Sequence, residues 1–139
     1  MGTDRAPRSI EALSVDECMA LLDAESFGRI AYASGGTIEV LPVNGTFVEG
    51  AVVFRTDYGD RLDELARGLP AAYEIDDVDR DRGTGWSVVV HGRTEEVTAP
   101  EELQHLREVA FEPWVPGRLE HFVRLLPRRI TGRRISEDR

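Results

Sequence analysis

The sequence predicts a mainly β fold, an antiparallel barrel with short helices, and three observations carry that expectation. Apolar runs of strand length recur along the chain, each bounded by glycine, proline or charged turn signals. Helical spacing of apolar residues is confined to three short stretches. Strands and helices do not alternate in the rhythm that a doubly wound parallel sheet requires. With 139 residues, 41% of them hydrophobic and 31% charged, the chain is long enough for one globular domain with a proper core.

Residues 1–11 are polar and lack periodicity, which predicts a loose tail before a single domain over 12–136. Ser14 and Glu17 have the spacing of a capping box, and Cys18, Leu21 and Leu22 follow at helical spacing to about Ala24. Cys18 fits this helix as a small hydrophobe. A first strand covers Phe27 to Ala33, a hairpin turn Ser34-Gly35-Gly36-Thr37, and a second strand runs to Val43. Pro42 cannot donate to a ladder, so that strand is irregular or at an edge. Asn44-Gly45 makes a turn, and Thr46–Val48 and Ala51–Thr56 form the next hairpin.

The continuous apolar run Ala51 to Phe54 reads as a buried strand. The chain changes character at Arg55. Thr56, Tyr58, Gly59 and Arg61 follow before Leu62, Leu65, Ala66 and Leu69 set a helical pattern that ends at Gly68. A strand end, hydroxyls, a guanidinium and the N–H groups of a helix start suit a phosphate. They also suit an ordinary strand-to-helix connection with solvated charges, and no glycine-rich nucleotide fingerprint decides between the two.

Ala71 to Ile75 is a strand, and Asp76 to Arg82 reads as a solvated loop whose spacing is not that of a calcium loop. Trp86 to Val97 is a long strand with its alternation broken near His91-Gly92, as where a barrel strand curves. Pro100 opens a helix, Pro113-Trp114-Val115-Pro116-Gly117 makes a rigid loop, and His121–Pro127 and Ile130–Ile135 are the last two strands. The net charge of −9 argues against nucleic acid or an anionic membrane as partner. One cysteine permits no intrachain disulfide, and no long apolar run suggests a signal peptide or membrane helix, so a cytoplasmic protein is expected. No Ser/His/Asp or Cys/His set stands out, which leaves redox chemistry to a cofactor.

Four blocks carry a family resemblance: Leu41-Pro42-Val43-Asn44, then Phe54-Arg55-Thr56 with Gly59-Asp60-Arg61-Leu62, then Gly85 to Arg93, then Pro113 to Gly117. In this order they resemble the pyridoxamine 5′-phosphate oxidase-like flavoproteins, in particular their short actinobacterial type, over residues 12 to 136. The resemblance implies a six- or seven-stranded antiparallel split β-barrel that binds FMN where two subunits of a homodimer meet. It implies that Pro42, Val43 and Asn44 lay their backbone against the isoalloxazine ring. Arg55, Thr56 and Arg61 hold the phosphate, with Arg29 a further candidate. Trp86 and Ser87 reach the flavin of the partner subunit, and Trp114 lies near the cofactor. The implied function is an FMN-dependent oxidoreductase of an unidentified small molecule, such as a quinone or nitroaromatic compound. The alternatives are a flavin-binding module without turnover, or a split barrel that uses deazaflavin or haem. True pyridoxamine 5′-phosphate oxidases carry an arginine–histidine segment near the C-terminus. The ending Gly132 to Arg139 has no histidine, so that activity is not expected.

Overall fold

A computed structural model describes residues 7–56, 61–109 and 121–138, the side chains of residues 61 and 62 excepted. Eight strands are present: β1 (Arg8–Ala12), β2 (Gly28–Ser34), β3 (Thr37–Val43), β4 (Thr46–Val48), β5 (Ala51–Thr56), β6 (Pro70–Asp79), β7 (Thr84–Val97) and β8 (His121–Glu137). Two α-helices, α1 (Val15–Ala24) and α2 (Pro100–Val109), and a 3-10 helix (Arg61–Arg67) complete the fold. The strands form one antiparallel sheet in the order β3-β2-β6-β7-β8-β5-β4, with β1 added to the far end of β8. The fold is mainly β, as predicted, and the open path from β3 to β4 is that of a split barrel rather than a closed one.

Alternation builds the core. Ile30 and Tyr32 of β2, Tyr73 and Ile75 of β6, and Val88 and Val90 of β7 all point inward and are buried. Cys18 and Leu22 of α1 cap this cluster, so Cys18 is the packed hydrophobe that its spacing suggested. The capping box is formed: Ser14 Oγ accepts from the Glu17 N–H at 3.1 Å, and the Ser14 N–H donates to Glu17 Oε1 at 3.0 Å. β5 is buried on both faces, which is why its sequence does not alternate. Val52 and Phe54 face the main core, and Val53 joins a second cluster with Val97, Phe122 and Leu106 of α2.

The bend expected near His91-Gly92 is a register shift in the β7–β8 ladder, where His91 pairs with Arg129 but Gly92 with Pro127. A Cβ at Gly92 would collide with the Leu126 carbonyl, so only glycine fits this crossing. The same irregularity absorbs Pro127, which is why β8 continues as one strand where two were expected.

Four further expectations are corrected. Eight strands replace six or seven. Arg8–Ala12, read as part of a loose tail 1–11, pairs with Arg133–Glu137. β6 runs through much of the charged stretch read as loop, because Asp77, Val78 and Asp79 find ladder partners in Trp86, Gly85 and Thr84 whatever their side chains. The turn beyond is closed by the Asp79 carboxylate, which accepts the N–H groups of Asp81 and Arg82, both at 3.1 Å. The helix after Arg61 is 3-10 rather than α, and it ends as predicted at Gly68, whose φ is 89°.

Candidate functional site

The residues expected at a phosphate lie at the end of β5. Arg55 pairs with Phe122, and its guanidinium stacks 4.8 Å from that ring. Thr56 is fully buried and pairs with His121, which is 8% exposed. His121 Nδ1 lies 2.8 Å from Glu96 Oε2. The 3-10 helix that begins at Arg61 is fixed to β7 by Thr94. Its buried hydroxyl donates to the Leu65 carbonyl at 2.6 Å and accepts from the Leu69 N–H at 2.9 Å. The Glu64 carboxylate accepts from Ser34 Oγ at 2.6 Å, tying the helix to the end of β2. Residues 57–60, the Arg61 side chain and Trp114 with its loop lie outside the described residues.

Pro42, Val43 and Asn44 lie at the end of β3. Val43 is buried and pairs with Gly28, while Pro42 pairs with Arg29. Past β3, Asn44 Nδ2 donates to the Ser26 carbonyl at 3.4 Å and the Gly45 N–H to the same oxygen at 3.1 Å. The corner wraps the Tyr73 ring so closely that a Cβ at Gly45 would stand 2.6 Å from its hydroxyl. That hydroxyl is buried with no partner among the described residues, and burial pushes its pKa up.

Trp86 and Ser87 sit elsewhere. Trp86 pairs with Arg134 near the end of β8, whereas the β5 group lies beside the start of β8, where Val97 pairs with Phe122. At about 3.3 Å per residue, the stretch of β7 from Trp86 to Val97 is about 36 Å of strand, with the bend at His91-Gly92 inside it. Trp86 and Ser87 line a cleft of about 460 Å³ with Glu74, Asp76, Val78, Arg133 and Ile135 among its walls. Two rows cross the strands on this outer face. Asp76, Ser87 and Arg133 form one, and Val78, Gly85 and Ile135 the next.

Arg29 does not assist a phosphate at the β5 end. Its guanidinium bridges Glu74 at 3.2 Å and Asp76 at 3.1 Å beside the cleft. Burial, and then the adjacent Asp76, raise the Glu74 carboxyl to about 7, against the pull of Arg29. Sequence reasoning missed Glu74, Arg133 and the His121–Glu96 pair, because each depends on a partner brought from another strand. The one local signal was the alternation of Glu74 between buried Tyr73 and Ile75, which marks an outward face.

Among the described residues no helix is long and apolar enough to cross a membrane. A family model described as pyridoxamine 5′-phosphate oxidase matches residues 14–134. The uncharacterized protein Rv0080 of Mycobacterium tuberculosis is 34% identical over 139 aligned residues, which cover 96% of this chain and 91% of that protein. The structure of an FAD binding protein from Mycobacterium smegmatis superposes with a TM-score of 0.75 at 34% identity, covering 88% of this chain and 96% of its own. That of an FAD-binding protein from Mesorhizobium loti gives 0.77 at 26% identity, covering 91% and 99%. With its open antiparallel barrel and this match over most of its length, the chain belongs to the pyridoxamine 5′-phosphate oxidase family.

Proposed function

We propose that the chain binds FMN in a groove shared by two copies of itself and acts as a cytoplasmic flavin-dependent oxidoreductase of a small molecule other than pyridoxamine 5′-phosphate. The observation that carries the reading is the separation just described. Arg55 and Thr56, with Arg61 at the start of the 3-10 helix, stand at one end of the β7–β8 hairpin, and Trp86 and Ser87 at the other. On this reading one FMN takes Arg55, Thr56 and Arg61 from one copy and Trp86 and Ser87 from the other. A two-fold axis brings the Trp86 end of one copy onto the Arg55 end of the next and makes two equal sites.

The residues fit the group in chemistry. Pro42, Val43 and Asn44 offer backbone at the end of β3. Arg55 and Arg61 supply charge for the phosphate on a chain of net charge −9. Trp86 and Trp114 provide apolar surface for the ring. A bound flavin accepts a hydride or two electrons; the protein holds and orients it, with no dedicated catalytic side chain. Family membership and the flavin named for the two structural relatives support the cofactor class. The same two relatives favour FAD as a second reading.

The absorbance spectrum of the freshly purified protein tests the flavin, and mass analysis of the released cofactor separates FMN from FAD. Arg61→Ala should weaken FMN binding by about 1.5–3 kcal/mol, the range for a hydrogen bond to a charged group. Equal affinity in parent and variant by titration removes Arg61 from the site. Dilution that dissociates the dimer should release the flavin; a monomer in sedimentation that keeps full occupancy defeats the shared groove.

A further inference from the structure

The cleft on the outer face of β6, β7 and β8 holds two groups that the fold does not use. Ser87 and Arg133 are a register pair across the β7–β8 ladder, and both line the cleft. Among the described residues, neither side chain has a hydrogen bond or an ion pair. The neighbouring charges are engaged. Arg29 bridges Glu74 and Asp76, the Asp79 carboxylate closes the β6–β7 turn, and Arg80 has interactions of its own. Three carboxylates line the cleft, yet its unused capacity is a fork of N–H donors beside a hydroxyl.

The adjacent row is apolar. Val78 is 56% exposed and Ile135 37%, and β6 passes so close to Gly85 between them that a Cβ there would stand 2.6 Å from the Asp77 carbonyl and 3.0 Å from Val78 Cγ1. Exposed apolar surface thus lies beside an unused guanidinium in the same cleft.

We infer that this cleft binds a planar aromatic carboxylate, with the carboxylate on Arg133 and Ser87 and the ring against the exposed side chains of Val78 and Ile135. The guanidinium fork matches the two oxygens of a carboxylate, and Ser87 supplies a further donor. A single negative charge suits the place better than a phosphate dianion, because Asp76 stands directly across Ser87 from Arg133 and repels each added charge. The volume of about 460 Å³ accommodates one or two fused rings. The role of the cleft as a substrate subsite rests on the flavin reading above, which puts Trp86 and Ser87 against the flavin of the second copy. Its existence as a binding site does not.

The test uses the full chain as purified, its flavin content read from absorbance, titrated with 2-naphthoate and with the neutral 2-naphthamide. Calorimetry should show the acid binding about tenfold or more tightly than the amide, the discrimination expected of a hydrogen bond to a charged group. Amide shifts in nuclear magnetic resonance should centre on Gly85, Ser87 and Arg133, with flavin content unchanged. In Arg133→Gln the preference should fall below about twofold, with unaltered melting temperature because the side chain is exposed. Arg133→Lys, which keeps the charge without the fork, should retain part of it.

Equal affinity for acid and amide, no binding of either, a preference that survives Arg133→Gln, shifts centred elsewhere, or flavin released in step with naphthoate bound would each overturn the inference. A chain that purifies without flavin but keeps an Arg133-dependent preference removes the flavin reading and leaves this site standing. A flavin-loaded chain with no preference does the reverse.

Discussion

The two ends of the β7–β8 hairpin are built from similar residues to different effect. At the end that carries α2 and the 3-10 helix, polar groups are buried and paired: Thr94 with Leu65 and Leu69, and His121 with Glu96. At the other end Val78 and Ile135 are exposed, Arg133 is unused and Glu74 shares one guanidinium with Asp76. A buried polar group stabilises only when its partner is present, whereas an exposed apolar or charged group contributes little until something covers it. The first end therefore holds the chain together, and the second is free to meet a ligand or a second copy.

The largest expected effect tests the closed end. Thr94→Val keeps the shape but strands the Leu69 N–H, bonded at 2.9 Å, and takes one of two donors from the Leu65 carbonyl, leaving it the Gly68 N–H, and should cost about 2–3 kcal/mol in urea unfolding. A loss below about 1 kcal/mol would mean that this end does not depend on its buried hydroxyl. Glu96→Ala removes the 2.8 Å partner of His121 Nδ1 and should cost about 2 kcal/mol by the same measurement.

A smaller effect at the open end is a slope rather than a loss. The folded chain keeps the Glu74 proton up to about 7, against an ordinary value of 4.5. The folded state then binds more protons than the unfolded state across that window. Stability should decline as pH rises from 4.5 to about 7 and level off above it. Glu74→Gln should remove this contribution to the slope; an unchanged profile would show that burial and Asp76 do not act on Glu74 as its position suggests. The smallest effect belongs to Val78→Ser, which should alter stability of the dissociated chain by less than about 0.5 kcal/mol. A cost near that of Thr94→Val would erase the distinction between the two ends.

Much of the fold was legible locally. The Ser14–Glu17 spacing, the unbroken run Ala51 to Phe54, the glycine turn after Ser34 and the interruption at His91-Gly92 each report a backbone state to their nearest neighbours. Strand β1 was not legible, because Arg8 to Ala12 has no apolar alternation and becomes a strand only through the partners that β8 supplies. The continuation of β6 into Asp76–Asp79 was hidden for the same reason, since a ladder partner outweighs a charged composition on a solvent-facing strand. Of the candidate site, the sequence marked Pro42–Asn44, Arg55–Arg61 and Trp86–Ser87, but it could not say that the last pair stands at the opposite end of the hairpin.

The sequence by itself determined the mainly β class, the capped first helix and the blocks that mark the family. These depend on periodicity, turn chemistry and short-range spacing, which are properties of neighbouring residues. Only the tertiary structure decided which side chains meet. Arg29, a candidate phosphate ligand in the sequence, became the partner of Glu74 and Asp76, and Glu64 met Ser34. Ser87 came to stand beside Arg133. Register sets these encounters, and register is fixed by the packing of the whole sheet against its core, which no local stretch of sequence contains.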